Sequence, residues 1–343
     1  MSARTPKSNI PLTKEDFLSD QMVKWCPGCG DHAILSAVAQ TFPRTGYEQD
    51  HFMVVSGIGC SSRFPYYVNT YGFHSIHGRA AAIATGIKIT NPSLSVWVAT
   101  GDGDCTSIGG NHFIHIIRRN VDLTMMLFNN QIYGLTKGQY SPTTPQGTVT
   151  KTSPLGTIER PCNPGALVIG AQGNFFARCV DTNPKLLSDI LLQADQHHGT
   201  SVVEILQNCM IFADKAHAAI TSKETRDDNQ LVLEAGKPML FGKNKEKGIA
   251  FDGHQLRVVE LGKDGVTIDD VLVHDPTTAD PNLHIMLAQM CLPDFPVAIG
   301  VIRSAEGTTY EDAIEAQIVS QKEKSPIQCV DDLLNSGDTF EIG

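Results

Sequence analysis

The chain has 343 residues, of which 41% are hydrophobic, and a formal net charge of −10 at pH 7. This length suits one large α/β domain with a smaller addition, or two domains. The acidic balance and the lack of a basic run argue against a nucleic-acid partner, and no apolar stretch is long enough to span a bilayer. The polar start of the chain is not typical of a signal peptide, so we expect a cytoplasmic protein whose nine cysteines are reduced thiols or metal ligands.

The first candidate site follows an N-terminal arm, predicted for residues 1–19. The turn Trp25-Cys26-Pro27-Gly28-Cys29-Gly30 places two thiols three positions apart, and Asp31 is predicted to cap a helix over residues 32–42. Two such cysteines bind zinc, form a redox dithiol or bind an iron–sulfur cluster. No second Cys-x-x-Cys or histidine pair follows at short range, and no strand pattern precedes the turn. Zinc and iron–sulfur ligation both remain open at this point.

Two further stretches carry candidate residues. The predicted strand at residues 52–55 ends in a flexible turn that contains the thiol of Cys60, and His77-Gly78-Arg79 precedes a helical pattern at residues 80–89. Arg79 is a candidate partner for a phosphate or a carboxylate at a helix start. The alternatives are a buried structural thiol for Cys60 and a solvated side chain for Arg79.

The most informative stretch predicts one βαβ unit with polar groups at both strand ends. An apolar run at residues 94–99 predicts a buried strand, and Thr100-Gly101-Asp102-Gly103-Asp104 follows it. Helical spacing at residues 108–119 leads to a second apolar run at residues 123–128, which ends at Asn129-Asn130. The glycines let the backbone approach a phosphate closely, and the N-terminus of the following helix favours negative charge.

Three oxygens of this unit suit a small divalent cation. Asp102 offers a carboxylate, Asn130 a side-chain carbonyl and Ile132 a backbone carbonyl. Mg²⁺ prefers octahedral oxygen coordination, which phosphate oxygens and water would complete. The aspartate and the second asparagine, each behind its own strand, resemble the thiamine-diphosphate motif.

After residues 133–140, a loop rich in Thr, Pro and Gly runs to about residue 165, a length typical of a functional or partner-binding loop. Lys137 is the cation beside the presumed pocket and is a candidate for binding an anionic substrate, although most lysines are merely solvated. The remaining pattern predicts a helix at residues 166–173, a strand at 175–180, a helix at 184–196 and a strand at 201–206, with Cys209 just beyond.

Cys60, Asp102, Asn130 and Cys209 each lie just past the end of a predicted strand. In an open parallel sheet, ligands bind outside the carboxyl ends of the strands. We therefore expect these four residues to converge on one side of the sheet. Cys105 lies in the same region and is the alternative to Cys209.

Residues 20–213 form the predicted cofactor domain, and residues 214–343 form a predicted C-terminal extension that packs on it or on a partner subunit. The extension contains no catalytic motif. Its pattern is charged and irregular at residues 215–248 and β-rich or extended at 256–275, with a helix at 282–290, a strand at 297–303 and a helix at 309–324.

Taken together, six motifs resemble one family. They are Cys26-Pro-Gly-Cys29, Ile58-Gly59-Cys60-Ser61, His77-Gly78-Arg79, Gly101-Asp102-Gly103-Asp104, Asn129-Asn130 and Leu135-Thr136-Lys137-Gly138-Gln139. The set resembles the β subunit of 2-oxoacid:ferredoxin oxidoreductases over residues 20–215. The long C-terminal extension is similar to that of the 2-oxoglutarate branch.

The resemblance implies a thiamine-diphosphate-binding α/β fold, with a mostly parallel sheet and helices on both faces. It implies that Cys26, Cys29, Cys60 and Cys209 bind a [4Fe–4S] cluster, that Asp102, Asn130 and the Ile132 carbonyl hold Mg²⁺, and that Lys137 contacts coenzyme A or substrate. The residues it places around thiamine diphosphate are Ile58, Gly59, Cys60, Ser61, His77, Gly78, Arg79, Gly101, Gly103, Asp104, Gly134 and Leu135.

The implied activity is oxidative decarboxylation of a 2-oxoacid, most closely 2-oxoglutarate, with coenzyme A to acyl-CoA and CO₂, the electrons passing through the cluster to ferredoxin. In this family the glutamate that activates the cofactor comes from the α subunit, so we expect paired αβ units and no activity of this chain alone. One alternative is a non-redox thiamine-diphosphate decarboxylase or carboligase, which needs no cysteines. The other is a zinc-stabilised, non-enzymatic scaffold that uses Cys26, Cys29 and a histidine.

Overall fold

The computed structural model describes residues 7–8 and 10–342, so residues 1–6 and 9 of the predicted N-terminal arm lie outside it. Its strands are β1 Phe52–Ser56, β2 Tyr71–His74, β3 Ser95–Gly101, β4 Leu123–Asn129, β5 Ile132–Tyr133, β6 Gln139–Tyr140, β7 Phe175–Val180, β8 Thr200–Leu206, β9 Gln230–Val232, β10 Leu240–Phe241, β11 Lys247–Phe251, β12 Leu256–Glu260 and β13 Val297–Ser304. Its helices are α1 Asp31–Thr45, α2 Ala80–Thr90, α3 Asp102–Thr106, α4 Gly110–Arg119, α5 Pro164–Gly170, α6 Pro184–Gln196, α7 Ala218–Thr221, α8 Arg226–Asn229, α9 Asn282–Gln289, α10 Tyr310–Lys324 and α11 Val330–Leu334.

Eight strands form the central sheet in the order β2-β1-β3-β4-β8-β7-β13-β9. Six consecutive neighbours, from β2 to β7, run parallel, and β13 pairs with β7 in the antiparallel direction. The inner strands β4, β7 and β8 are buried along their whole length, as expected where a parallel sheet is covered on both faces. The predicted α/β fold with a mostly parallel sheet is confirmed.

The sheet packs against its helices through two apolar cores, one on each face. On one face, Phe42 of α1 packs edge-on against Trp97 of β3, with ring centroids 5.0 Å apart. On the other face, Phe113 of α4 joins a core that also includes Phe176 of β7 and Leu287 of α9. These two layers hold the parallel strands in register, so that their carboxyl ends form one edge.

Local sequence signals explain most of the element boundaries. Helix α6 begins where predicted because the Asn183 side chain accepts the backbone N–H of Leu186 and Pro184 occupies the first turn. The predicted cap at Asp31 is wrong. Helix α1 already includes Asp31, Gly30 is the residue before it, and the Asp31 side chain is buried.

The C-terminal extension contributes to the central sheet. Strands β9 and β13 extend it beyond β7, while β10, β11 and β12 form a separate antiparallel sheet of three strands. The division at residue 213 stays a prediction. Within the part of the chain that the structure describes, no helix is long and apolar enough to cross a membrane.

Candidate active site

A cavity of about 160 Å³ opens at the carboxyl ends of β1, β3 and β4. This is the side of an open parallel sheet where ligands bind. Most of the predicted site residues line it, namely Ile58, Gly59, Cys60, Ser61, His77, Gly101, Asp102, Gly103, Asp104, Asn130, Ile132, Gly134 and Leu135. The other predicted residues, Cys26, Cys29, Gly78, Arg79, Lys137 and Cys209, lie outside the lining.

Asp104 holds together the loops on one side of this cavity. Its Oδ1 accepts the backbone N–H of Gly78 at 2.7 Å, and its Oδ2 accepts the Thr100 hydroxyl at 2.9 Å. A β carbon at Gly57 would overlap the same carboxylate, so only glycine fits there. Burial raises the pKa of Asp104, and these hydrogen bonds oppose the rise. Asp104 therefore has a structural role whatever else it contacts.

The candidate Mg²⁺ ligands lie together on the cavity wall. Asp102 is 2% exposed, and its Oδ2 accepts the Ser141 hydroxyl at 2.5 Å and contacts the Thr143 hydroxyl. The Asn130 side-chain oxygen accepts the backbone N–H of Ile132 at 3.1 Å, which fixes that oxygen beside the cavity. Burial raises the pKa of Asp102 to about 6. A buried carboxylate beside an amide oxygen suits a hard divalent cation, because the cation compensates the desolvated charge.

The sulfur atoms of two cysteines lie close to Gly134. A β carbon on Gly134 would lie 3.5 Å from the Cys209 sulfur and 3.7 Å from the Cys60 sulfur. The Trp25 ring N–H donates to the carbonyl of Cys60 at 2.7 Å, which ties the turn containing Cys26 and Cys29 to the same place. The strand ends and the N-terminal turn thus bring the four candidate thiols into one region.

The four thiols also influence one another electrostatically. Burial, then the nearby Asp31 carboxylate, and then neighbouring thiols raise the pKa of Cys29 and Cys60, the latter to about 12. Cys209 acts on both of them, and Cys26 acts on Cys60. Burial therefore favours the protonated thiols, and a bound metal cation would be needed to stabilise the thiolates here.

The spacing of these sulfurs does not suit a single zinc ion. A tetrahedral zinc with Zn–S bonds of about 2.3 Å holds its sulfurs about 3.8 Å apart. Among the described residues, the one group of three His, Cys, Asp or Glu ligand atoms within 4.8 Å of one another is Glu48, Asp50 and His51, none of which is a cysteine. No three of the four candidate thiols, all of which the structure describes, are therefore as close together as a single tetrahedral zinc ion would hold them.

Cys105, the alternative fourth ligand, lies elsewhere. It is buried in the apolar core on one face of the sheet, and its titratable neighbours are Asp104, Asp102 and Cys162. Burial raises its pKa well above the ordinary thiol value. The geometry therefore groups Cys209, rather than Cys105, with Cys60.

Two cationic candidates lie at the periphery. Arg79 is half-buried, and its guanidinium donates to the carbonyls of His77 at 3.2 Å and Ile108 at 3.4 Å. Lys137 is exposed on the turn between Gly134 and Gly138 with a φ of 78°. A lysine in the left-handed region is uncommon, so the turn constrains the backbone at this position.

Asp31 and Gln207 also line the cavity, although neither was predicted to do so. Asp31 is 1% exposed. Burial is the main reason that its pKa is raised to about 7, and the Cys29 thiol is the hydrogen-bonding neighbour that opposes the rise. Gln207 donates from its side-chain amide to the Cys29 sulfur at 3.3 Å. Gln207 follows β8 directly, so the strand-end rule that selected Asn130 would also have found it.

Comparisons with known proteins identify the domain. The family model for the C-terminal TPP-binding domain of thiamine pyrophosphate enzymes matches residues 57–205. This segment contains every residue that lines the cavity except Asp31 and Gln207. The chain therefore contains a thiamine-diphosphate-binding domain.

Relatives and a solved structure identify the family. The 2-oxoglutarate oxidoreductase subunit KorB of Mycobacterium tuberculosis is 44% identical over 99% of this chain and 91% of its own length. The 2-oxoglutarate synthase subunit KorB of Archaeoglobus fulgidus is 47% identical over 57% of this chain and 73% of its own. The solved 2-oxoglutarate:ferredoxin oxidoreductase of Magnetococcus marinus aligns with a TM-score of 0.77 at 29% identity, over 98% of this chain and 99% of that one. The chain therefore belongs to the β subunits of the 2-oxoacid:ferredoxin oxidoreductases, in their 2-oxoglutarate branch.

Proposed function

We propose that this chain is the cofactor-bearing subunit of an enzyme that converts 2-oxoglutarate and coenzyme A to succinyl-CoA and CO₂. The two electrons released go one at a time to two ferredoxin molecules, with loss of one proton. One observation carries the redox part of this proposal. Gly134 and Cys60 line the cofactor cavity, and the sulfurs of Cys60 and Cys209 flank Gly134. The cysteines and the cofactor cavity therefore share a wall.

Asp102, Asn130 and the Ile132 carbonyl would hold Mg²⁺, which links the cofactor diphosphate to the protein. Thiamine diphosphate, when bound, supplies the electron sink that decarboxylation of a 2-oxoacid requires. The protein's own contribution is orientation: the Asp104 hydrogen bonds fix the loops that contain Gly57 and Gly78. The residues of these loops, including Ile58, Ser61 and His77, would contact the cofactor, with Gly101, Gly103 and Leu135 on the opposite wall.

Cys26, Cys29, Cys60 and Cys209 would bind a [4Fe–4S] cluster. Such a cluster and ferredoxin each carry one electron, so they suit each other as donor and acceptor. Cys26 is the exposed member of the set, and the Cys29 side is buried against Gln207. Electrons would therefore leave at the Cys26 side. Reduced cysteines of this kind are typical of a cytoplasmic protein.

The cavity is too small to be a complete binding site. Its volume is about 160 Å³. Pockets that enclose a drug-sized ligand have volumes of roughly 300–1,000 Å³. Several apolar side chains near its rim are exposed, including Ile76, Ile108 and Leu135. Membership of a β-subunit family implies an α partner, which would complete the site and cover these residues.

The substrate assignment rests on relatives. The solved Magnetococcus marinus enzyme has 2-oxoglutarate, coenzyme A and succinyl-CoA bound. Lys137 on the exposed turn would contact the anionic part of coenzyme A or of the 2-oxoacid. Arg79, held at the start of α2, would lie on the phosphate side of the cavity.

The test uses the chain co-expressed with its α partner and purified without oxygen. We expect bound thiamine diphosphate, four irons for each copy of the chain, and reduction of ferredoxin that requires both 2-oxoglutarate and coenzyme A. Thiamine diphosphate without iron, together with CO₂ release that needs no electron acceptor, would favour the non-redox decarboxylase instead.

A further inference from the structure

A series of buried polar contacts connects Asp102 to the C-terminal extension. It begins in the loop after β6, where the Ser141 hydroxyl donates to Asp102 Oδ2 at 2.5 Å. The Thr143 hydroxyl contacts the same oxygen and also lies 2.9 Å from Asn129 Oδ1, so its one proton is shared between two acceptors. Both hydroxyl-bearing residues are at most 3% exposed. Thr143 therefore bridges the candidate metal ligand and the end of β4.

The series continues across three adjacent strands. The Asn129 side-chain amide on β4 donates to Glu204 Oε1 on β8 at 2.7 Å, and Arg178 Nε on β7 donates to Glu204 Oε2 at 2.7 Å. The Arg178 and Glu204 side chains are 6% and 2% exposed. A buried ion pair is stable only when its geometry and its remaining hydrogen bonds are satisfied, so these two side chains are held rigidly.

The far end of the series lies in the extension. Arg178 Nη2 donates to the carbonyl of Ala288 in α9 at 3.1 Å, and the Asn163 side chain donates to the same carbonyl at 3.0 Å. Helix α9 thus completes the hydrogen bonding of the arginine that fixes Glu204. The extension is connected to the metal-ligand side of the cavity without contributing a residue to its lining.

We propose that Thr143 is a positioning residue for the metal ligand Asp102, and that the row Asn129–Glu204–Arg178 anchors Thr143 through to Ala288. Because one oxygen of Asp102 meets two hydroxyls, the orientation in which the carboxylate is presented to a cation is constrained. This inference rests on the proposed Mg²⁺ role of Asp102. Groups that orient a metal ligand typically change metal affinity by about 10- to 100-fold when they are removed.

The experiment measures Mg²⁺ dependence in the full-length chain co-purified with its α partner and stripped of metal with a chelator. Thiamine diphosphate is titrated calorimetrically at a series of Mg²⁺ concentrations. Thr143→Val removes the hydroxyl and keeps the side-chain shape, and we expect the half-saturating Mg²⁺ concentration to rise about 10- to 100-fold. Thr143→Ser keeps the hydroxyl and should stay near the wild-type value. Iron content should be unchanged in both variants.

Thr157→Val is the matched control. Thr157 is a buried threonine of the same loop, but its hydroxyl donates to the Pro145 carbonyl at 2.9 Å. Its removal should alter the melting temperature without changing the Mg²⁺ requirement. Should Thr143→Val fold poorly, Ser141→Ala provides a second route, since its hydroxyl meets the same oxygen of Asp102.

These variants distinguish the positioning role of Thr143 from the metal role of Asp102. Wild-type Mg²⁺ dependence in both Thr143→Val and Ser141→Ala, with binding lost in Asp102→Asn, would overturn the positioning role and leave the metal ligand in place. Wild-type dependence in Asp102→Asn would overturn the metal assignment itself. An equal loss in Thr143→Ser and Thr143→Val would show that the hydroxyl is not responsible and would also overturn the inference.

Discussion

The side-chain amide of Gln207 donates a hydrogen bond of 3.3 Å to the sulfur of Cys29. Gln207 is 1% exposed, and the backbone N–H of Gly30 bonds back to the carbonyl of Asn208 at 3.2 Å. The N-terminal cysteine turn is therefore attached to the end of β8 on both its side-chain and main-chain sides. If the proposed cluster binds here, this attachment would influence both its position and its reduction potential.

Replacing Gln207 should change the reduction potential of the cluster. A hydrogen bond to a ligand sulfur stabilises the more negative, reduced state, so Gln207→Leu should lower the potential. Potentiometric titration followed by electron paramagnetic resonance measures this shift. Gln193→Leu, on the exposed side of α6, is the control and should have no effect. An unchanged potential in Gln207→Leu would show that this hydrogen bond does not reach the cluster.

Cys60 and Cys105 should behave differently when each is replaced by alanine. Cys60→Ala should lose iron and also weaken cofactor binding, because Cys60 lines the cavity and flanks Gly134. Cys105→Ala should retain its iron, because Cys105 packs in the apolar core. Iron, sulfide and thiamine diphosphate are assayed in the anaerobic complex. Iron loss in Cys105→Ala combined with normal iron in Cys209→Ala would mean that the fourth ligand has been misassigned.

Lys137→Ala should raise the KM for coenzyme A or for the 2-oxoacid by about tenfold, because an exposed charge contact with an anion is lost. Iron and thiamine diphosphate content should stay at the wild-type level. Steady-state kinetics of the assembled enzyme measure the change. Lys151→Ala, an exposed lysine of the same loop region, is the control. If both KM values are unchanged in Lys137→Ala, the side chain is merely solvated.

His197 should make the protein less stable in acid. Burial lowers the pKa of His197 from 6.5 to about 4, with the neighbouring Asp122 opposing the shift and His198 adding to it. As the pH falls, the unfolded chain therefore takes up a proton before the native state does. The free energy of unfolding is not reduced by His197 above pH 6.5, and it decreases as the pH falls from 6.5 towards 4. Each unit of difference in pKa corresponds to about 1.4 kcal/mol.

Melting temperatures of the complex across this pH range measure the effect of His197. We expect a smaller loss in His197→Gln than in the wild type, because the substituted side chain does not titrate. His254→Gln, at an exposed position, should retain the full loss. Equal losses in all three proteins would assign the acid sensitivity to other groups.

The sequence predicted the central fold well because its signals there are local. Strand β7 and helix α6 have the predicted bounds, since an apolar run and an asparagine–proline helix start mark them. Strand β2 was not predicted. All four of its residues, Tyr71–His74, are exposed at the sheet edge. Its sequence therefore lacks the apolar pattern that marks a buried strand.

The candidate site was predictable to the extent that it lies at strand ends. Asp102 and Asn130 follow strands, and a motif marks them. Thr143 carries no such signal, because its contact with Asp102 depends on the path of a long irregular loop. Asp31 was taken for a helix cap from its position, and only the packing around it shows a buried carboxylate facing the cavity.

The antiparallel pairing of β13 with β7 has a consequence for any shortened form of the protein. Deleting the chain after residue 213 would leave the amide and carbonyl groups of β7 unpaired along an apolar strand. Such an edge is a template for strand addition from another molecule, which leads to aggregation. By covering the edge of β7, the extension therefore prevents self-association. A chain truncated after residue 213 should precipitate even though it keeps every proposed cofactor ligand.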